Sequence, residues 1–308
     1  MKPAAVTSSR NTPLGAGTTV WVARVAWILL AFVPGPLGDA LVDNGRSAQV
    51  AFTAAAWLLW IVGVGGLAWL SPVSLTALRC VAPAVLVGVV VATLSRGNLG
   101  DAAVLWPLVA VALAVIATFA IFLPDHAAAH VQASAYGAER RLPLRVPIPQ
   151  FAPIILAWVL MWGLLVTALF ALAAEVWWLA AVTGVVAAAG VWLFASRLHR
   201  FSRRWLVVVP AGVVVHDHLL LAETFMVKAH SVVGVDVIDA PGEALDLTGV
   251  VRGLSLKVSL REAENLALSP YLARLLGTLD AVHVRSYAVA PTLTGQALAA
   301  LTKPPATT

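Results

Sequence analysis

The sequence predicts a membrane bundle of six helices followed by a β-rich domain, and three observations carry that expectation. Apolar residues make up 60% of the 308 and charged residues 11%, with a mean hydropathy of +0.90, where ordinary soluble domains hold about 25% charged residues. Six apolar runs, each near the ~20 residues that cross the hydrocarbon of a bilayer as a helix, fill the chain as far as Ser196. Beyond Arg204 the pattern changes to short β-branched runs punctuated by Gly and Pro. This composition excludes a soluble globular enzyme, and so few charges exclude a disordered chain. The single cysteine, Cys80, excludes a disulfide framework and a cysteine-based zinc site.

Residues 1–19, rich in Thr, Ser, Gly and Ala, read as a flexible tail rather than a cleaved signal, because the apolar run starts late and carries Arg24. The spans follow at 20–42, 50–70, 76–94, 102–123, 154–173 and 176–196. Backbone amides find no water inside lipid, so each run is expected to be helical. The first contains Pro34, Gly35 and Pro36, which predict a kink or an early end. The last two run on from Ile154 to Ser196 with only Glu175 between them. One helix of that length would measure about 64 Å at 1.5 Å per residue, twice the hydrocarbon thickness, so a hairpin at Glu175 is expected.

Charge sets the orientation. Lys and Arg number 13 through Arg204 against 6 acids, and 7 against 9 beyond it. The basic surplus therefore belongs to the membrane half, where cytoplasmic loops collect Lys and Arg, and nucleic acid is not an expected partner. Arg140, Arg141 and Arg145 precede the fifth span, and Arg197, Arg200, Arg203 and Arg204 follow the sixth, so both groups are expected at the cytoplasmic membrane surface. With Lys2, Arg10, Arg24 and Arg79, eleven bases fall inside and two, Arg46 and Arg96, outside. That asymmetry predicts a multi-pass protein of an inner (plasma) membrane with both termini cytoplasmic.

Eleven of the twelve tryptophans lie within or at the ends of the spans. Trp27, Trp60 and Trp162 lie deeper than interfacial indoles and are expected to pack between helices, while Gly63, Gly65, Gly66, Gly184, Ala187, Ala188 and Gly190 offer close approach. No ionisable residue sits mid-span, which argues against an ion-coupled pump; Asp39 is the one acid that a kink in the first span could draw inward.

The segment 124–150 reads as a solvated amphipathic stretch. His126 and His130, at i and i+4 and beside Asp125, share a helical face and are candidate metal ligands, although no Glu lies between them as a zinc-protease motif requires. His216 and His218 share a strand face, next to Asp217 and near His230 in sequence, and form a second candidate pair. In both places solvated or strand-end polar residues are the plainer reading, and no cofactor is expected.

The β-rich domain is expected over 204–303, with 304–308 as a tail. Its strands are read at Trp205–Val209 and Val213–Leu221 around a Pro210-Ala211-Gly212 turn, then at 225–228, 232–238, 244–251, 254–260 and 281–289. Residues 261–277 have helical spacing broken by Pro270, and Thr292 or Thr294 caps a last helix ended by Pro304 and Pro305. Arg204-Trp205, leading into Val207-Val208-Val209-Pro210-Ala211-Gly212-Val213-Val214-Val215-His216-Asp217, resembles the start of the bacterial pleckstrin-homology-like (PH-like) domains carried by polytopic membrane proteins. The Ala- and Val-rich chain as a whole is similar to multi-pass membrane proteins of actinobacteria. The resemblance implies antiparallel strands closed by a carboxy-terminal helix. It does not extend to phosphoinositide binding, because the first turn lacks Lys and Arg.

Neither a Gly-x-x-x-x-Gly-Lys loop, nor His-Glu-x-x-His, nor Gly-x-Ser-x-Gly occurs, so no enzyme is expected. The expectation is a membrane scaffold or regulatory protein whose domain, 204–303, recruits a protein partner. The alternative is a transporter or flippase component for an apolar or lipid-like solute.

Overall fold

The structure is a computed structural model that describes residues 16–34, 36–43, 45–95, 104–278 and 280–303. The amino-terminal half is helical: α1 (Ala16–Leu29), α2 (Pro36–Ala40), α3 (Arg46–Ala68), α4 (Pro72–Leu94), α5 (Leu105–Phe122), α6 (Pro124–Gln132), α7 (Phe151–Ala173) and α8 (Trp177–Ser202). Among the described residues five helices are long and apolar enough to cross a membrane: α3, α4, α5, α7 with its preceding turn, and α8.

The expected first span is not one helix. Proline cannot donate a backbone hydrogen bond, and α1 ends at Leu29, before Pro34, while α2 starts at Pro36. Fourteen residues rise only about 21 Å, short of the ~30 Å of hydrocarbon. The chain nevertheless passes from one end of α3 to the other. Arg24 Nε donates to Leu67 O at 2.9 Å near the end of α3, and Gln49 Nε2 donates to Leu41 O at 3.1 Å near its start. Between these points the indoles of Trp27 and Trp60 each donate to the other's carbonyl, at 3.0 and 2.9 Å. Gly63 permits the approach, since a Cβ there would stand 2.1 Å from Trp27 Cε2. Gly66 packs likewise under Leu78, whereas Gly65, Gly184 and Gly190 face open space.

The next spans start and stop where capping decides. Ser71 and Ser74 form a reciprocal capping box and Pro72 occupies the first turn, so α4 begins four residues before the expected Thr76. Arg79 therefore lies in the second turn of α4, further inside the helix than the expected start at Thr76 implied. Residues 101–103, where the fourth span was expected to begin, lie outside the described residues; the tails 1–15 and 304–308 do too. The hairpin at Glu175 is present: α7 and α8 are joined by a tight turn in which Glu175 has φ +59°. Its carboxylate accepts a hydrogen bond from Ser47 Oγ at 3.4 Å, in the first turn of α3. α8 runs to Ser202, six residues past its expected end.

The carboxy-terminal part forms two four-stranded sheets. The strands are β1 (Arg140–Pro143), β2 (Trp205–Val209), β3 (Gly212–His216), β4 (Phe225–Lys228), β5 (Val232–Ile238), β6 (Leu245–Asp246), β7 (Ser255–Ala267) and β8 (Ala281–Val289), in the orders β1-β2-β3-β4 and β5-β7-β8-β6. Helix α9 (Pro270–Leu276) joins β7 to β8, and α10 (Thr294–Thr302) follows β8 and packs on β5 and β7. Leu206, Val208, Val213, Val215, Leu256, Val258, Tyr287 and Val289 fill the space between the sheets.

β1 overturns the expected boundary at 204. It comes from the segment read as a solvated stretch, and it pairs antiparallel with β2, Arg140 opposite Val208 and Pro143 opposite Trp205. Leu144 N donates to Arg204 O at 3.0 Å, so β1 and β2 are the arms of a β-hairpin into whose tip the membrane hairpin α7–α8 is inserted. Helix α6, in the same segment, is largely buried rather than solvated. α6 lies on the outer face of the sheet, Val131 packing on Trp205 and Val207.

Three expected elements change length. β3 ends at His216 because Asp217 turns the chain, its Oδ1 accepting from Leu219 N and Leu220 N. The run 244–251 keeps only two strand residues, since Gly249, Val250 and Gly253 adopt φ of +73°, +64° and +91°. β7 continues through Glu262 and Glu264 to Ala267, where helical spacing was read; the helix there is confined to α9, between the Ser269 cap and Gly277 at φ +62°.

Candidate functional site

The densest polar chemistry lies where bundle meets sheets. At its centre Arg204 and Asp217 are each about 1% exposed at the side chain, and Nη2 to Oδ2 is 2.7 Å. Arg204 Nε donates to both carboxylate oxygens at 2.9 Å, and Nη1 donates to Arg145 O at 2.7 Å. One guanidinium thus holds the end of α8, the turn after β3 and the segment after β1 together. The register of β2 with β3 explains the pairing: Trp205 faces His216, so one step outward brings Arg204 beside Asp217.

Arg204 is therefore a buried strut and not a membrane-surface base. Arg145 is engaged too, donating through Nη1 to Arg252 O at 2.8 Å and through Nη2 to Leu254 O. Arg141 pairs with Glu139 at 2.7 Å and lies over the Trp205 ring. Arg140, Arg197, Arg200 and Arg203 remain exposed.

A second layer joins the bundle to α6. His126 and His130 are fully buried with their Nε2 atoms 3.1 Å apart. His130 Nδ1 lies 3.1 Å from Ser74 Oγ and 3.3 Å from Ser71 N, at the cap of α4. Burial, then the neighbouring His130 and Arg79, hold His126 down to about 3, and burial above all holds His130 down to about 4, so both are neutral. Alongside, Thr76 Oγ1 donates to Ser202 Oγ at 2.9 Å, joining the start of α4 to the end of α8.

The third cluster lies on the sheet. His216 stacks on Trp205 with centroids 5.1 Å apart and meets His218 edge-on at 4.3 Å. Its Nδ1 lies 3.1 Å from Thr224 Oγ1. Burial, then His218 and Arg203, push His216 down to about 4 against the opposing pull of Asp217.

The four candidate metal ligands thus form two separate pairs, His126 with His130 and His216 with His218. Among the described residues no group of three or more His, Cys, Asp or Glu could hold a metal, whereas zinc takes three or four protein ligands. Arg24 and Arg79, both close enough to press on the first pair, oppose a cation there as well. His230 is exposed and joins neither pair. The chemistry these clusters support is mechanical: neutral and ion-paired groups that fix helices to sheet.

Sequence reasoning missed Ser71, Ser74, Thr76 and Ser202 as junction residues, having no motif to mark them. Comparison of the chain with protein families, with curated proteins and with solved structures gives no match.

Proposed function

We propose that the chain is a membrane-held scaffold or regulatory platform that fixes a PH-like domain at the cytoplasmic face of a plasma membrane and recruits a protein partner there. The observation that carries this reading is the shared sheet. A domain built around the tip of a membrane hairpin, with β1 before it and β2 after it, cannot swing as a tethered module would; its binding surfaces keep a set height and angle. Two four-stranded sheets followed by a closing helix support the PH-like assignment. The Arg and Lys asymmetry supports the orientation, and the broken α1–α2 segment, reaching both ends of α3, supports a sixth crossing.

The surface best suited to a partner is β5. It is an edge strand with Val233 and Val237 exposed, and an open edge offers unpaired backbone groups to an incoming strand. A photoreactive residue at Val237 of the full chain, in native membranes, is expected to give one discrete cross-linked protein that a probe at Arg140 does not. Equal labelling from both positions contradicts the proposal.

A second reading, transport of a lipid-like solute, draws on a pocket of about 320 Å³ between α1 and α3 lined by Trp27, Ile28, Val64, Leu67 and Ala68 with Arg24. Flux of such a solute into vesicles holding the purified chain would favour it.

A further inference from the structure

We propose that the loop 248–254 docks onto the phospholipid headgroup layer beside the start of α7, with Val250 and Leu254 inserted among the headgroups and Arg252 on lipid phosphate. The inference rests on α7 crossing the membrane, not on recruitment of a partner.

The loop presents what a folded soluble surface would hide. Val250 holds φ +64°, a conformation that β-branched residues rarely adopt, and its side chain is 50% exposed, with Leu254 52% exposed beside it. Strain that displays an apolar side chain gains nothing from the domain's own core; such outliers cluster where a ligand or surface is met.

The loop's position is fixed from beneath. Arg145 binds the carbonyls of Arg252 and Leu254. Gly249 lies so close to the chain that a Cβ would stand 2.7 Å from Pro147 Cγ. Pro147 leads through the 3-10 turn Ile148–Gln150 into Phe151, the first residue of α7. Four residues at about 2 Å each put the loop about 8 Å from that helix start. The 23 residues of α7 rise about 35 Å, against ~30 Å of hydrocarbon and 40–45 Å with headgroups. Centred on the bilayer, α7 starts about 17 Å from the midplane, between the hydrocarbon edge at ~15 Å and the headgroup edge at ~20–22 Å, so a loop held within that ~8 Å of chain stands in the headgroup layer or at its outer edge.

Its neighbours identify the occupant. Ile148 and Phe151 are exposed next to it and continue into the lipid-facing side of α7, so the apolar surface of the loop extends one already given to lipid. Arg252, exposed between Val250 and Leu254, supplies the cation that a phosphate layer takes, and an apolar pair flanking a guanidinium is the composition of an interfacial anchor.

The test uses the full chain carrying Cys80→Ala, with Val250→Cys, Leu254→Cys or Glu262→Cys labelled by an environment-sensitive fluorophore, in vesicles of phosphatidylcholine and phosphatidylglycerol. Glu262 lies on β7 eight residues beyond Leu254, about 26 Å along the strand at ~3.3 Å per residue. We expect brominated phospholipid to quench the probes at Val250 and Leu254 while iodide in the water does not, and the reverse at Glu262. Arg252→Ala is expected to reduce the lipid quenching at Val250. Iodide quenching at Val250 and Leu254 equal to that at Glu262, or shielding of both from both reagents, which would mean packing against protein, overturns the proposal.

Discussion

Arg204 and Asp217 show how much one buried pair can determine. Breaking a buried ion pair leaves the remaining charge without a partner and costs about 3–5 kcal/mol. Asp217→Ala is expected to lower stability by that amount and to free the segment after β1, measured by thermal unfolding in detergent and by proteolysis at Arg145. The opposite outcome is expected at Tyr287, which is fully buried and whose hydroxyl finds no partner. A buried group without a hydrogen bond costs about 1–3 kcal/mol, so Tyr287→Phe is expected to leave stability unchanged or to raise it, by the same measurement. His216 supplies a pH dependence. Its folded value is about 4 against ~6.5 unfolded, so the unfolded chain takes up a proton first as the medium is acidified. His126 and His130, held down to about 3 and about 4, act in the same direction, so stability should fall as pH drops from ~6.5 towards ~3, and His216→Gln should reduce that slope without abolishing it in a series of unfolding midpoints. At this scale the sequence was partly legible. The Pro210-Ala211 turn sets Arg204 against Asp217 by simple register, yet the positive charge reads as a membrane-surface base until the hairpin is drawn. The capping serines of α4 leave no such trace, because their meeting with His130 spans 56 to 59 positions.

Elements were legible where one physical constraint acted alone. α3, α4, α5, α7 and α8 declare themselves because lipid demands long apolar helices. β2 and β3 were found by their β-branched runs and turn. β2 lacks alternation for a reason visible only in the fold: Leu206 and Val208 face the core between the sheets, while Trp205 and Val207 face α6. β1 escaped because Arg-Arg-Leu-Pro is four residues long and its partner lies more than sixty positions away. The end of α1 was legible in its prolines, but the device that joins it to α3 was not fully so. Gly63 was marked as small, and only the structure shows the Trp27 ring occupying the space of its missing Cβ. Overpacking costs about 1–3 kcal/mol, so Gly63→Ala is expected to destabilise the bundle by that amount, whereas Gly65→Ala, facing open space, should not. Paired melting curves in one detergent decide it.

For the whole molecule, the insertion of α7–α8 into the β1–β2 tip makes bundle and domain share their supports: β1 pairing, the Arg204 strut and the His130 contact at the α4 cap. Loop tips accept inserted chain well when the flanking ends are close, and here the ends are within hydrogen-bond reach, Leu144 N to Arg204 O at 3.0 Å. The division at Arg204 followed a real change in composition, from membrane-type to strand-type sequence, but composition reports the solvent of each residue and not the partner of each strand. The central claim, that one sheet is built from both sides of the membrane hairpin, is tested by removing that hairpin. Residues 136–145 joined to 204–303 by a short Gly-Asn linker should give a soluble domain that unfolds cooperatively by circular dichroism, while 204–303 alone should not. Equal cooperative unfolding of the two fragments would contradict it.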